Sequence, residues 1–295
     1  MSPGLQYFLQ QLLNGLSIGS IYAMIAVGYS MVYSILYMIN FAHGDIYVFG
    51  TFIALALWKA GLPIPAVVVL ACLAGALVGL LVERTVYRPV RFANRIVPMI
   101  TALGVAMVLR TVSQLIWGAE TLPFVQLIPS TALSIGTFRV FSQQIMVLGV
   151  SVFCMIAFTL LIQKTKLGKA TQCVMQDINL SRVMGIPVDT IIPLIYALGG
   201  FMGVVGGVLF ASYYNAISIN MGLIGTVKAW AAAMLGGVGS FYSPFVGGLI
   251  LGVAEAMAGA YLSPAYKDAI GYLVIVLVLV FRPAGLFGKQ RVEKV

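Results

Sequence analysis

The chain has 295 residues, 61% of them apolar and 8% charged, against roughly 25% charged in soluble globular proteins. So few charges cannot cover a water-facing surface, and a mean hydropathy of +1.04 sets most of the exterior against lipid. The net charge of +9 is no nucleic-acid footprint, which needs Lys and Arg clustered on a soluble module.

The expected fold class is all-α: a polytopic transmembrane helix bundle of about 8 to 10 spans, forming a single domain over residues 1–295. Residues 1–44 carry no charge and exceed the roughly 20 residues that one span needs, so this stretch holds either one long tilted helix or a break. Gly15, Gly19 and Gly28, with Ser17, Ser20 and Ser30 between them, put small residues at near-helical spacing and predict a packed inner helix. Further apolar runs follow at 46–57, 63–82, 96–118, 145–162, 191–211, 229–238, 244–261 and 269–281, giving nine candidate spans with an uncertainty of about one. No basic n-region precedes the first run, so no removable signal peptide is expected.

Orientation follows the cations, which are retained on the cytoplasmic side. Arg84, Arg88, Arg91 and Arg95 share one connection, Lys164, Lys166, Lys169 and Arg182 a second, and Arg282, Lys289, Arg291 and Lys294 the tail. Two runs separate the first connection from the second and four separate the second from the tail, if residues 239–243 form a tight inside turn. All three basic segments then lie inside, and residues 119–143 face outside. An even span count puts the N-terminus inside; nine puts it outside.

No catalytic set is present: His43 is the only histidine, so no nucleophile can be paired with a base and an orienting group. The sequence Leu167-Gly168-Lys169-Ala170 lacks the first glycine and the Ser or Thr of a phosphate loop, and energy for uphill transport would have to come from a partner or an ion gradient. Cys72, Cys154 and Cys173 are scattered and give neither a disulfide framework nor a metal spacing. No cofactor or metal is expected.

Ionisable residues at membrane depth are costly, which makes them candidates for function. Asn40, His43 and Asp45 fall together in INFAHGD, where Gly44 would permit a helix break. The cluster either lines a translocation path or gate, or stabilises a turn between two helices. Arg110 and Glu255 sit in apolar runs; either they face the bundle interior, where they can pair, or each snorkels or caps locally. Lys228, just before an apolar run, reads as an interfacial anchor.

The second basic connection, about 164–189, contains an apolar subset, Val174, Met175, Ile178, Val183 and Met184, approximating one face of a short helix, with Asp177 near its start and Gly185 and Pro187 after its end. Such a helix suits either a lipid surface or another protein's groove.

Four segments together resemble the membrane permeases of the bacterial branched-chain amino-acid ABC transporter family: GLSIGSIYAMIAVGYSMVYSILYMINFAHGD (15–45), ATQCVMQDINLSRVMGI (170–186), KAWAAAMLGGVGSFYSPFVGGLILGVAEA (228–256) and FRPAGLFG (281–288). The resemblance spans nearly the whole chain, and the compact length is similar to that of the shorter of two permease partners. It implies a homodimeric or heterodimeric pore, with a different second permease favoured, two cytoplasmic ABC ATPase subunits, a periplasmic substrate-binding protein and the bacterial inner membrane, with no nucleic acid and with ATP hydrolysis on separate subunits. It also implies that the loop is the coupling helix that docks on an ATPase, with Asp177 and Arg182 at the rim and Val183, Met184, Gly185 and Ile186 at the contact. Of the E-A-A, three residues, Gly pattern common in such loops, only Gly185 is retained. Residues 282–295 form a cytoplasmic tail in this reading, and the path elements are the first 45 residues and the LGGVGS turn at 235–240. The expected cargo is a branched-chain or other neutral amino acid. Urea or short-chain amides are the alternative cargo, and a secondary transporter or channel the more distant alternative.

Overall fold

A computed structural model describes residues 3–36, 39–91, 93–94, 96–135, 138–237, 242–282 and 284–288. Arg95, Lys289, Arg291, Lys294 and residues 238–240 of the LGGVGS turn lie outside the described residues.

The apolar runs become helices: α1 (Pro3–Leu36), α2 (Ala42–Lys59), α3 (Ile64–Val82), α4 (Arg88–Val90), α5 (Ile96–Trp117), α6 (Ser142–Lys164), α7 (Lys166–Gln176), α8 (Ile178–Val183), α9 (Val188–Tyr214), α10 (Met221–Gly236), α11 (Ser243–Tyr261) and α12 (Lys267–Phe281). A five-residue π-helical turn, Glu83–Tyr87, joins α3 to α4, so that one continuous helical segment runs from Ile64 to Val90. Among the described residues six helices are long and apolar enough to cross a membrane, those containing α1, α3, α5, α6, α9 and α11. The other three apolar runs are also helical, but α2 carries His43 and Asp45 in its first turn, and α10 and α12 have only 16 and 15 residues. The expectation of an all-α polytopic bundle therefore holds at the level of a helical bundle with six such helices.

At the centre α1 packs against both α9 and α11. The small-residue stripe explains how. A Cβ on Gly19 would come within 2.9 Å of Gly248 O and Leu249 Cα, and one on Gly15 within 2.7 Å of Val253 Cα, so the two backbones approach as closely as glycine allows. Further along α1, Gly28 meets the carbonyl of Gly199 on α9. Ser17, Ser20 and Ser34 return their hydroxyls to carbonyls three or four residues back along α1, which lets polar side chains sit in an apolar interface at little cost. By contrast α3, α5 and α6 each bury one stripe and expose Leu73, Leu77, Met107, Leu115, Phe153 and Ile156 outward, the pattern of helices that face lipid.

These contacts fix the relative directions. The α1 start meets the α11 end, where Tyr7 OH donates to Ala260 O at 3.2 Å, and Asn14 meets Gln144 at the α6 start. The N-terminal end of α1 is thus on the side of residues 119–141, opposite the basic connections. On that side Leu122–Pro123 (β1) pairs antiparallel with Ala216–Ile217 (β4), and Ala132–Ile135 (β2) with Phe138–Phe141 (β3). These four short strands are the strands among the described residues.

Two expectations change here. Gly44 does not break a helix. The interruption lies upstream, between Leu36 and Ala42, while Gly44 sits inside α2 against Gly222 and Thr226 of α10. Close approach, rather than backbone freedom, is what requires a glycine there. The amphipathic loop is also two helices rather than one, because Asp177 is extended (φ −156°) between α7 and α8.

Candidate translocation site

The site begins at the α1–α2 interruption. Asn40 is buried, and its Oδ1 accepts from the backbone N–H of Ala42 at 3.1 Å and from Tyr87 OH at 2.8 Å. It thereby supplies one of the donors at the α2 start with a side-chain acceptor and ties that start to the π-helical turn. The His43 ring stacks edge-on to Tyr29, centroids 5.9 Å apart, in a slot between Gly28 and Gly203. Its Nε2 is buried without a hydrogen bond among the described atoms.

Two residues later Asp45 meets Arg110 of α5. Arg110 donates from Nε to Oδ1 at 3.1 Å and from Nη2 to Oδ2 at 3.4 Å, the two-pronged geometry that a guanidinium gives a carboxylate. Asp45 is almost fully buried, whereas the Arg110 side chain keeps 32% of its surface exposed. The guanidinium is anchored to Asp45 while the side chain stays partly exposed, and Thr111 and Gln114 are exposed beside it on α5. Polar groups on an otherwise lipid-like helix face mark a wet lining or a protein contact.

Glu255 belongs to a second cluster. Lys228 Nζ donates to Glu255 Oε2 at 2.9 Å and lies 2.8 Å from Asp268 Oδ1, while Tyr22 OH donates to Glu255 Oε2 at 3.1 Å and accepts from Lys228 at 3.1 Å. Residues from α1, α10, α11 and α12 meet there, and Lys228 and Glu255 are buried. The pairing of Arg110 with Glu255 considered above is therefore replaced by two separate clusters, each with its own counter-ion. Lys228 is not an interfacial anchor but the buried centre of one of them. No local pattern could have shown this, since Asp268 stands 40 positions along the chain from Lys228.

On the basic side, Asp177 Oδ1 accepts from Leu180 N at 2.9 Å and caps α8. Val174 is buried against the bundle and Met175 and Ile178 are half-buried, so these hold the loop down. Leu180, Val183 and Met184 are 60%, 83% and 74% exposed, an apolar edge pointing away from the protein. Gly185 follows in the left-handed region at φ +78°, which turns the chain toward Pro187 and α9. Ile186 is half-buried. Asp189, at the start of α9, accepts from Arg91 and lies 3.8 Å from Arg182 Nη2. Arg91 Nη1 in turn lies 3.5 Å from Glu83 Oε1.

A family profile described as "Branched-chain amino acid transport system / permease component" matches residues 11–279. Over the full length of both chains, the sequence is 37% identical to the high-affinity branched-chain amino acid transport system permease protein LivH of Salmonella typhimurium. It is 36% identical to the corresponding permease BraD of Pseudomonas aeruginosa, over 99% of this chain and 100% of that one. Among solved structures, PsaBC from Streptococcus pneumoniae in complex with Fab superposes with a TM-score of 0.50 at 13% identity, covering 95% of this chain and 94% of that one, a likeness of fold alone. With a match over nearly the whole chain and a helical bundle to carry it, this multi-pass membrane protein belongs to the branched-chain amino acid transport system permease family.

Proposed function

We propose that the chain is the permease subunit of an ATP-driven importer of branched-chain amino acids in a bacterial inner membrane. It forms the translocation path with a second permease subunit, receives its cargo from a periplasmic binding protein and is driven by two cytoplasmic ATPases that carry the hydrolysis. Residues 1–295 act as one permease domain whose nine apolar helices, α1, α2, α3, α5, α6 and α9–α12, all sit at membrane depth. The basic connections then face the cytoplasm, and the α1 start and the four strands face the binding protein.

The observation that carries this reading is the apolar edge Leu180, Val183 and Met184, exposed on the basic side beside Gly185. A membrane protein gains nothing from such an edge in water; an apolar groove on a soluble partner removes it from solvent. Asp177 and Arg182, both exposed, stand at its rim, where charge complementarity fixes register. Closure of the ATPases moves this loop and shifts the bundle between outward-open and inward-open states. Asp45 and Arg110 are the path element: the partly exposed arginine side chain offers a weak contact to a passing carboxylate, and weak contact permits release. Asn40 and His43 set the position of this pair from below. Glu255 holds the bundle together.

The test is uptake of radiolabelled leucine into proteoliposomes that hold the copurified complex and its binding protein, comparing Val183→Asp with the unaltered chain. Because Val183 is exposed, the substitution leaves the fold alone. ATP-dependent uptake that collapses in the variant supports the reading. Uptake that ignores ATP points instead to a secondary transporter or channel, and ATP turnover without leucine uptake points to urea or amides as cargo.

A further inference from the structure

The charged residues behind the loop form a series that ends at the buried Glu83, and two hydrogen bonds lead from the π-helical turn it opens to the start of α2, the helix that carries Asp45. Arg182, one residue from the exposed edge, lies 3.8 Å from Asp189 Oδ1. Asp189 takes a hydrogen bond from Arg91, and Arg91 reaches Glu83 at 3.5 Å. Glu83 is fully buried and opens the π-helical turn that closes with Tyr87. Tyr87 donates to Asn40 at 2.8 Å and packs on Tyr196 of α9 with ring centroids 5.2 Å apart. Asn40 Oδ1 accepts from Ala42 N, the first residue of α2, at 3.1 Å, and Asp45 lies in the first turn of that helix.

Three features of this series are unlike ordinary surface ion pairs. It crosses from an exposed carboxylate (Asp189, 52%) to a carboxylate with 1% exposure (Glu83) through an arginine with 5% exposure, so a displacement at the rim is felt in the interior without water to relax it. It enters the one π-helical turn among the described residues, and such turns hold a backbone with an alternative hydrogen-bond register close at hand. It leaves that turn through a tyrosine whose hydroxyl bonds to Asn40, just before the start of a different helix. A change in the π register rotates or lifts Tyr87, and Asn40 then carries the α2 start with it.

We propose that Asp189, Arg91, Glu83 and Tyr87 transmit movement of the 178–186 loop to the α1–α2 interruption, and through it set whether Asp45 holds Arg110. These are positioning residues: none needs to touch cargo. The inference rests on the importer reading, because it requires a driven loop.

Asp189→Asn, Asp189→Glu and Tyr87→Phe can be compared with the unaltered chain in the assembled importer, with ATP turnover and leucine uptake read from the same vesicles. Asp189→Asn and Tyr87→Phe are each expected to lower leucine imported per ATP by about tenfold while turnover stays within about twofold, and Asp189→Glu to keep most of the coupling. An unchanged ratio in both variants overturns the proposal, and so does a fall of uptake and turnover in the same proportion, which marks a purely structural or docking role. Tyr87→Phe removes one hydroxyl far from the loop, so it decides the matter alone if Asp189→Asn fails to assemble. ATP-independent uptake by the unaltered chain is a different failure, that of the importer reading itself.

Discussion

Two ion clusters of similar chemistry sit in this bundle, and their surroundings give them opposite uses. Around Lys228 of α10, three other helices contribute Tyr22, Glu255 and Asp268, and the central lysine and Glu255 are sealed from solvent. Around Arg110 there are two helices and one carboxylate, and a third of the arginine remains open. Glu255, fully buried and holding Lys228 and Tyr22 on Oε2, can only be held, since parting it from its cation in a low-dielectric interior is costly. A charge satisfied on one side can release its partner and take another. In the proposed reading the first cluster fastens α10 and α12 to the α1–α11 core, and the second responds to the α1–α2 interruption beside it.

The contrast can be broken most forcibly at Lys228. Lys228→Ala leaves the buried Glu255 without its cation and is expected to destabilise the protein by about 3–5 kcal/mol, seen as lost expression or an early thermal transition in detergent. Combining Lys228→Met with Glu255→Leu removes both charges and should recover most of that loss; failure to recover would mean that the pair is not what fastens these helices. Next in size is the α1–α11 seam, where Gly252→Leu forces a side chain against the backbone of Gly19 at a cost of about 1–3 kcal/mol or more, measurable by the same transition. Asp45→Asn combined with Arg110→Gln leaves no buried carboxylate without its cation, and is expected to spare most of the stability but to lower uptake by about tenfold, through loss of a charge-assisted contact. An uptake defect matched by an equal loss of folded protein would place Arg110 with the fastening cluster instead. The smallest effect on stability belongs to Met184→Ser on the exposed loop edge, within about 0.5 kcal/mol, although co-purification of the ATPases should weaken.

Much of this was legible in the sequence. Each of the nine apolar runs is a helix, and the Gly15, Gly19 and Gly28 stripe marks the central helix because close packing in lipid needs small residues at helical spacing. The amphipathic connection at about 164–189 and its Gly185 were also visible, as turn and amphipathic signals are local. What the sequence concealed is who pairs with whom. Arg110 stands 65 positions from Asp45 and Lys228 27 from Glu255, and only tertiary packing selects those counter-ions from among all the buried charges. The π-helical turn was equally hidden: Glu83–Tyr87, with Arg84 and Arg88, looks like the basic end of a span, and its partners Asn40 and Tyr196 come from distant parts of the chain. Asp177 was placed near a helix start, yet its capping of α8 also ends α7, so one amphipathic pattern became two helices.

The most direct measurement is the accessibility of T111C, one residue beyond Arg110 on the exposed face of α5, in a chain whose Cys72, Cys154 and Cys173 are replaced. A membrane-impermeant thiol reagent would be applied to the assembled complex with and without ATP. If Asp45 and Arg110 form a driven path element, the labelling rate should change severalfold between the two conditions, and Tyr87→Phe should abolish the difference. A residue that resists the reagent equally in both conditions, as a lipid-facing position does, would contradict a path at Arg110.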